Sequence, residues 1–174
     1  GYDADFLTVE LDPTTAAISK YLYPKARHLN NGFQNVELQG ARFDLVVGNP
    51  PFGKQTLYDP NFPELRNFSI HNYFLAKSLS LLRPGGIGAF VVSRFFMDAA
   101  DPAAREHIAE YADLLGAVRL PETAFRQNAL TDVTTDILFF RKHDGPRLRS
   151  TDWTQTPLLL EAANEADLQV LQSV

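Results

Sequence analysis

With 174 residues and 45% hydrophobic content, the chain can bury one sizeable core, whereas two independent domains would be cramped. Lys and Arg number 16 against 21 Asp and Glu, a formal charge of -5, so the surface as a whole is not built to hold a polyanion, and contact with nucleic acid must be local or supplied from outside the chain. The lack of cysteine removes disulfides, thiolate metal sites and cysteine nucleophiles and fits a reducing cytoplasm; no apolar run approaches the roughly 20 residues that cross a bilayer.

The chain opens Gly1-Tyr2-Asp3-Ala4-Asp5 and goes at once into an apolar run, as if cut from a longer polypeptide. Phe6 to Leu11 alternates loosely and predicts a strand. Asp12-Pro13 then supplies a cap and a first helical residue for a helix whose Ala16, Ala17, Ile18, Tyr21 and Leu22 are spaced for one buried face, ending before Pro24. A short strand is predicted near Phe33 to Leu38. Phe43 to Gly48 is a β-branched apolar run of the length of a buried parallel strand. Asn49 to Pro63, punctuated by prolines, reads as a long loop after a strand end.

Asn67 to Arg83 carries Ile70, Tyr73, Phe74, Lys77, Leu81 and Leu82 in helical spacing and is closed by Pro84-Gly85-Gly86. Ile87 to Ser93 predicts a second buried strand and Ala103 to Leu115 another helix. Gly116 to Leu120 and Thr135 to Phe140 predict two strands in succession, an antiparallel pair closing a mostly parallel sheet. Residues 1–142 thus read as one α/β domain, and 143–174 as a linker with an amphipathic helix over Pro157 to Val174 that leads to another region. Alternating strands and helices give an open α/β sheet, whose ligand sites lie outside the carboxyl ends of its strands.

Asn49-Pro50-Pro51-Phe52 follows a predicted strand directly. Methylating an aromatic amine is hard because the nitrogen lone pair is delocalised into the ring. Two acceptors set against its two N–H bonds return density to nitrogen and aim the lone pair at the donor methyl. The Asn49 side-chain carbonyl and the Pro50 backbone carbonyl can be those acceptors. Each proline fixes its own φ, biases the preceding residue toward an extended conformation, and carries no N–H to compete. Phe52 offers a flat face on which an extruded base can stack. The bland alternative is a proline-terminated strand with a stray aromatic.

Glu10, at the end of the first strand, either accepts hydrogen bonds from a ribose or belongs to the cap made with Asp12. Ser93-Arg94 either holds a phosphate or closes a strand, and Asp44 is a solvated or capping carboxylate. His28, His71, His107 and His143 have no metal-ligand spacing and read as structural or surface residues, so no metal site is expected. Arg141, Lys142, Arg147 and Arg149 form a small basic cluster that either touches DNA or is solvated.

Phe43 to Gly53 resembles the catalytic motif of amino-group methyltransferases, specifically the N6-adenine DNA type. Thr8 to Pro13 sits where that family has its ribose-binding acidic residue. Ser69 to Phe74, Leu82 to Gly86, and Leu114 to Phe125 joined to Thr131 to Lys142 resemble plasmid- and phage-borne proteins that join an adenine methyltransferase to a helicase-like region. The resemblance implies a Rossmann-like class I methyltransferase sheet, mostly parallel with a terminal antiparallel strand, and S-adenosyl-L-methionine as cofactor. It implies that Glu10 binds the cofactor ribose, Phe33 lies near the cofactor adenine, Asn49 and Pro50 hold the target amine, Pro51 fixes the loop and Phe52 stacks on a flipped adenine of DNA.

The family's Gly-rich cofactor loop follows a first strand upstream of Glu10, and this sequence begins after that point. The first strand of the sheet is therefore expected to be missing, leaving two apolar edges open to further segments of a larger polypeptide or to self-association. A restriction-modification enzyme of the cytoplasm is the expectation. The alternatives are a non-catalytic DNA-binding or scaffold remnant of the same fold, or methylation of another planar amine, a protein glutamine or an rRNA guanine.

Overall fold

The computed structural model describes residues 4–38, 40, 42–121, 134–145, 152–154 and 169–171. The strand predicted first is β1 (Leu7–Glu10), and α1 (Pro13–Leu22) follows with Asp12 as its cap, the carboxylate accepting from the Thr15 N–H at 2.7 Å. Capping holds the Asp12 carboxyl below its ordinary range, the Thr15 N–H being the largest cause. The buried face predicted for α1 is not there. Ala16 is its one buried residue, while Ile18, Tyr21 and Leu22 are 54, 86 and 60% exposed, because no described segment covers that side.

The strand predicted over Phe33 to Leu38 lies earlier, as β2 (Arg27–Asn30), and Phe33–Asn35 form a 3-10 turn. Pairing draws β2 into place: it runs parallel to β1 from Leu7 opposite Arg27 to Glu10 opposite Asn30. His28 braces the pair, its Nδ1 facing the Thr8 hydroxyl at 2.8 Å and its Nε2 the Tyr23 carbonyl at 2.9 Å. Val36, beyond the turn, drops into the core instead of extending a strand.

Five further strands make a second sheet in the order β3-β4-β6-β5-β7, with β3 (Phe43–Gly48), β4 (Leu82–Ser93), β5 (Ala112–Leu120), β6 (Thr135–Lys142) and β7 (Gln169–Leu171). β3 and β4 are parallel, and the predicted antiparallel strand is β6, inserted between β4 and β5 and running against both. The sequence Pro84-Gly85-Gly86 does not separate helix from strand; it is a bulge inside β4, so that Leu82 faces Phe43 while Ile87 already faces Leu45. Gly85 has φ +76°, and a Cβ on Gly86 would lie 2.9 Å from the carbonyl oxygens of Phe43 and Arg83, so both need glycine.

One face of β4, β5 and β6 is packed by α2 (Ile70–Ser80), α3 (Phe95–Asp98) and α4 (Ala103–Ala109), around Tyr73, Leu75, Leu79, Phe90, Phe96, Ile108, Leu138 and Phe140. The helix predicted over Ala103 to Leu115 stops at Ala109. Ala112 to Leu114 pair with Lys142 to Phe140 instead, since ladder bonds and burial of Ala112 and Leu114 outweigh continued helix. Arg105, 1% exposed, donates to the carbonyls of Phe96, Ala99 and Thr154 and so seats Trp153 against Phe140. Within the helix predicted for Pro157 to Val174, Gln169–Leu171 form strand β7 against β5; its other residues lie outside those described.

Among the described residues, the β1-β2 pair is not hydrogen bonded to the larger sheet, so β1 and β3 each have one unpaired edge. The burial predicted for β3 is accordingly incomplete: Leu45 and Val47 are 56 and 70% exposed. No helix among the described residues is long and apolar enough to cross a membrane.

Candidate active site

Parallel pairing puts strand ends side by side. Glu10 and Asn30 close the β1-β2 ladder together, and Gly48 pairs with Phe90 three residues before β4 ends at Ser93. Asn49-Pro50-Pro51-Phe52 therefore leaves β3 alongside the last residues of β4.

Pro50 is buried and anchors the tetrapeptide, while Asn49 and Pro51 are exposed. The Asn49 amide makes no hydrogen bond to a described residue and faces solvent. Phe52 is 46% exposed, and its edge is supported by His71 with ring centroids 5.6 Å apart. The loop is closed behind it: Thr56 bridges Ser69, the Ile70 N–H donates to the Gln55 carbonyl at 2.6 Å, and the Ser69 hydroxyl caps α2 through the Asn72 N–H.

His71 was read from sequence as structural or surface; it is 6% exposed and sits between Phe52 and the end of β4. Its Nε2 accepts from the Ser93 N–H at 3.3 Å, and its ring also meets Phe96. Accepting at Nε2 requires neutral imidazole, and burial holds its pKa below the ordinary value, opposed by the Asn72 side chain. A pKa lowered on folding contributes stability above the unfolded value, near 6.5, that is lost as pH falls through the folded value. Between pH 7 and 5 the wild-type Tm should thus fall more steeply than that of His71→Gln, which keeps an acceptor but does not titrate. Parallel curves would remove His71 from this role.

Glu10 lies at the end of β1. Its Oε1 accepts from the Asp12 N–H at 2.8 Å, and Oε2 has no partner among the described residues. The Asn30 side chain donates to the carbonyls of Glu10 and Leu11, which fixes the turn beneath it. Phe33, three residues past Asn30, is partly buried against Phe74 and Tyr73 at 5.0 and 6.2 Å between centroids. An open acidic oxygen and an aromatic-rimmed turn at adjacent parallel strand ends suit a nucleoside, the carboxylate taking ribose hydroxyls and the turn bordering the base.

A buried group that sequence reasoning did not single out lies beneath both parts. Lys77 of α2 and Asp59 of the loop are 0 and 1% exposed, with Nζ 2.7 Å from Oδ2. Lys77 also donates to the carbonyls of Phe33 at 2.6 Å and Val36 at 3.4 Å. Asp59 further accepts from the Tyr73 hydroxyl at 2.6 Å and the Asn61 N–H at 2.9 Å. Burial would raise the Asp59 pKa, but the Lys77 and Tyr73 hydrogen bonds outweigh it and hold the carboxyl below its usual range; burial lowers the Lys77 pKa. A lysine on the helix face shared with Ile70, Tyr73 and Phe74 was the signal available in the sequence.

Ser93 holds its strand end against His71, and Arg94 is exposed, its guanidinium 5.5 Å from the Phe95 ring. Asp44 pairs with Arg83 at the surface. Arg141 lies opposite Ile87, in the middle of β4, and the Lys142 ammonium donates to the Ser80 carbonyl. Arg141 is thus three positions along β4 from Phe90, the residue that Gly48 faces. Arg147 and Arg149 are outside the described residues.

The chain is 28% identical over 138 residues to Defense against restriction protein B of Escherichia phage P1, covering 77% of this chain and 6% of that protein. It is 30% identical over 121 residues to the methylase subunit of the type I restriction enzyme EcoEI of Escherichia coli, covering 67% and 24%. It thus spans a quarter or less of these curated relatives. The fold is that of a class I S-adenosylmethionine-dependent methyltransferase from Listeria monocytogenes, with a TM-score of 0.66 at 22% identity over 82% of this chain and 46% of that one. S-adenosylmethionine is the methyl donor that goes with this fold. Residues 8–124 match the family model described as Eco57I restriction-modification methylase, and the chain belongs to that family.

Proposed function

We propose that the chain is the catalytic segment of a larger DNA methyltransferase that modifies the N6 amine of adenine. The observation that carries this reading is an exposed Asn49 amide and a half-exposed Phe52 face held at the carboxyl end of β3 by buried Pro50 and by His71. When bound, S-adenosylmethionine supplies an electrophilic methyl on a sulfonium. The adenine is rotated out of the duplex and stacks on Phe52. Asn49 Oδ1 accepts one N6–H and the Pro50 carbonyl the other, which localises the nitrogen lone pair toward the methyl. The same two acceptors would face the positive charge that builds on N6 during methylation, and the exposed side of the loop would let its surplus proton pass to solvent. Glu10 holds the ribose hydroxyls, and the Phe33 turn borders the cofactor adenine.

Relatives several times longer than this chain support a further reading: recognition of DNA sequence resides in other segments or subunits, consistent with the net charge of -5 here. Mass spectrometry of nucleosides from host DNA after expression of the intact protein tests the proposal. N6-methyladenine, sharply reduced in Asn49→Ala, is expected; unmodified DNA beside a methylated protein glutamine or rRNA guanine would overturn the choice of substrate.

A further inference from the structure

Three pieces of chain that are remote in sequence meet at one ammonium. The turn after β2 presents the Phe33 and Val36 carbonyls, the loop after β3 presents Asp59, and α2 supplies Lys77 itself. These partners use all three donors of the ammonium. The rings of Phe33, Phe62 and Tyr73 surround it, their centroids 4.6, 5.1 and 5.8 Å from Nζ. Lys77 and Asp59 are 0 and 1% exposed, so Lys77 cannot contact DNA as a surface cation. Each partner is instead attached to a different part of the site: Phe33 belongs to the turn assigned to the cofactor, and Asp59 to the loop that begins at Asn49.

We propose that Lys77 is a positioning residue that couples the cofactor-side turn at Phe33 to the target-side loop beginning at Asn49 through its ion pair with Asp59. This rests on the reading that Phe33 borders the cofactor and Asn49 to Phe52 hold the target. Movement of the Phe33 backbone on cofactor binding changes the geometry at Nζ, and the rigid pair carries that change to Asp59 and the loop. A low-dielectric, saturated ion pair transmits such a shift because neither Lys77 nor Asp59 can turn to water as an alternative partner. Coupling between two sites is reciprocal, so order imposed on the loop by the target should strengthen cofactor binding by the same factor.

Calorimetry and hydrogen exchange with S-adenosylhomocysteine, on the intact protein and without DNA, test this. In wild type, the ligand should protect amides of the 31–36 turn and also those of the loop around 53–62. Lys77→Met alone leaves the Asp59 carboxylate buried without its cation, so the double variant Lys77→Met, Asp59→Asn is the decisive one: it removes both charges together and keeps an acceptor for Tyr73. In the double variant, affinity should fall roughly fivefold or more and loop protection should vanish, while protection near Glu10 remains.

A folded double variant with wild-type affinity and wild-type loop protection overturns the proposal, as does a wild-type protein whose loop is untouched by ligand. Failure of wild type to bind S-adenosylhomocysteine overturns the cofactor reading and the coupling with it. Binding and loop protection without N6-methyladenine in DNA would sink only the choice of substrate and leave the coupling in place.

Discussion

Asn49→Ala should lower kcat for methyl transfer by on the order of 10²- to 10³-fold, the cost of removing one positioned hydrogen-bond group from a charge-developing centre. The side chain lies outside the packed core and makes no hydrogen bond to a described residue, so its loss should leave Tm and S-adenosylhomocysteine affinity unchanged. The acceptor matters more as positive charge builds on N6 than it does in the ground state, so the loss belongs in kcat and not in KM for the acceptor. Asn49→Asp keeps an oxygen in the same place and should retain more activity than alanine, which separates accepting from packing. Phe52→Ala should behave oppositely, weakening acceptor binding by about 1–3 kcal/mol through lost stacking while its effect on the chemical step stays smaller. Single-turnover kinetics on both variants read the difference, and wild-type kcat in Asn49→Ala would remove the residue from catalysis.

The placement of Asn49 to Phe52 at a strand end was legible because prolines make local geometry from local sequence: the tetrapeptide needs no distant partner to be held extended after an apolar strand. Glu10 was legible for the same reason, as the last residue of a strand before a capped helix, and its open Oε2 leaves room for the ribose reading while its Oε1 serves the turn. His71, Asp59 and Lys77 were not. Their roles arise from pairs 22, 18 and 44 residues apart, such as His71 with Ser93, Lys77 with Asp59 and Lys77 with Phe33, and no spacing rule reports a contact of that kind. A lysine on an apolar helix face was the one trace left in the sequence.

The fold shows the same division. Strands β3, β4 and β6 stood out as β-branched or aromatic runs. β2 did not, because Arg-His-Leu-Asn is strand through its ladder to β1 and not through pattern. The helical reading of Ala103 to Leu115 failed beyond Ala109 because Ala112 to Leu114 suit either state locally, and pairing with β6 decided between them. Ile18, Tyr21 and Leu22 of α1 have the spacing of a buried face and are exposed, as are Leu45 and Val47 of β3. Periodicity reports what a face is suited to bury; what lies against it is a separate matter.

Asp59→Ala should be the most destabilising single change at the site. The carboxylate and the Lys77 ammonium are 1 and 0% exposed, and removing one member of a buried pair leaves the other charged without its counter-ion, at a cost of about 3–5 kcal/mol. For a chain of this size that corresponds to a Tm lower by ~10 °C. The carbonyls of Phe33 and Val36 still hydrogen bond to Lys77 but supply no opposite charge, whereas Asp59→Asn retains acceptors for Tyr73 and Lys77 and should lose less. The pH dependence separates this effect from that of His71. The Asp59 pKa is lowered on folding, so its contribution is complete above the unfolded value of 3.8 and is lost only as pH falls through a lower folded value. The Tm gap between wild type and Asp59→Ala should therefore stay constant from pH 8 to 5.5 as far as Asp59 is concerned. The gap between wild type and His71→Gln should change over that interval. Thermal unfolding at several pH values measures both, and an Asp59→Ala protein that melts with wild type would show that burial of Lys77 does not depend on its partner.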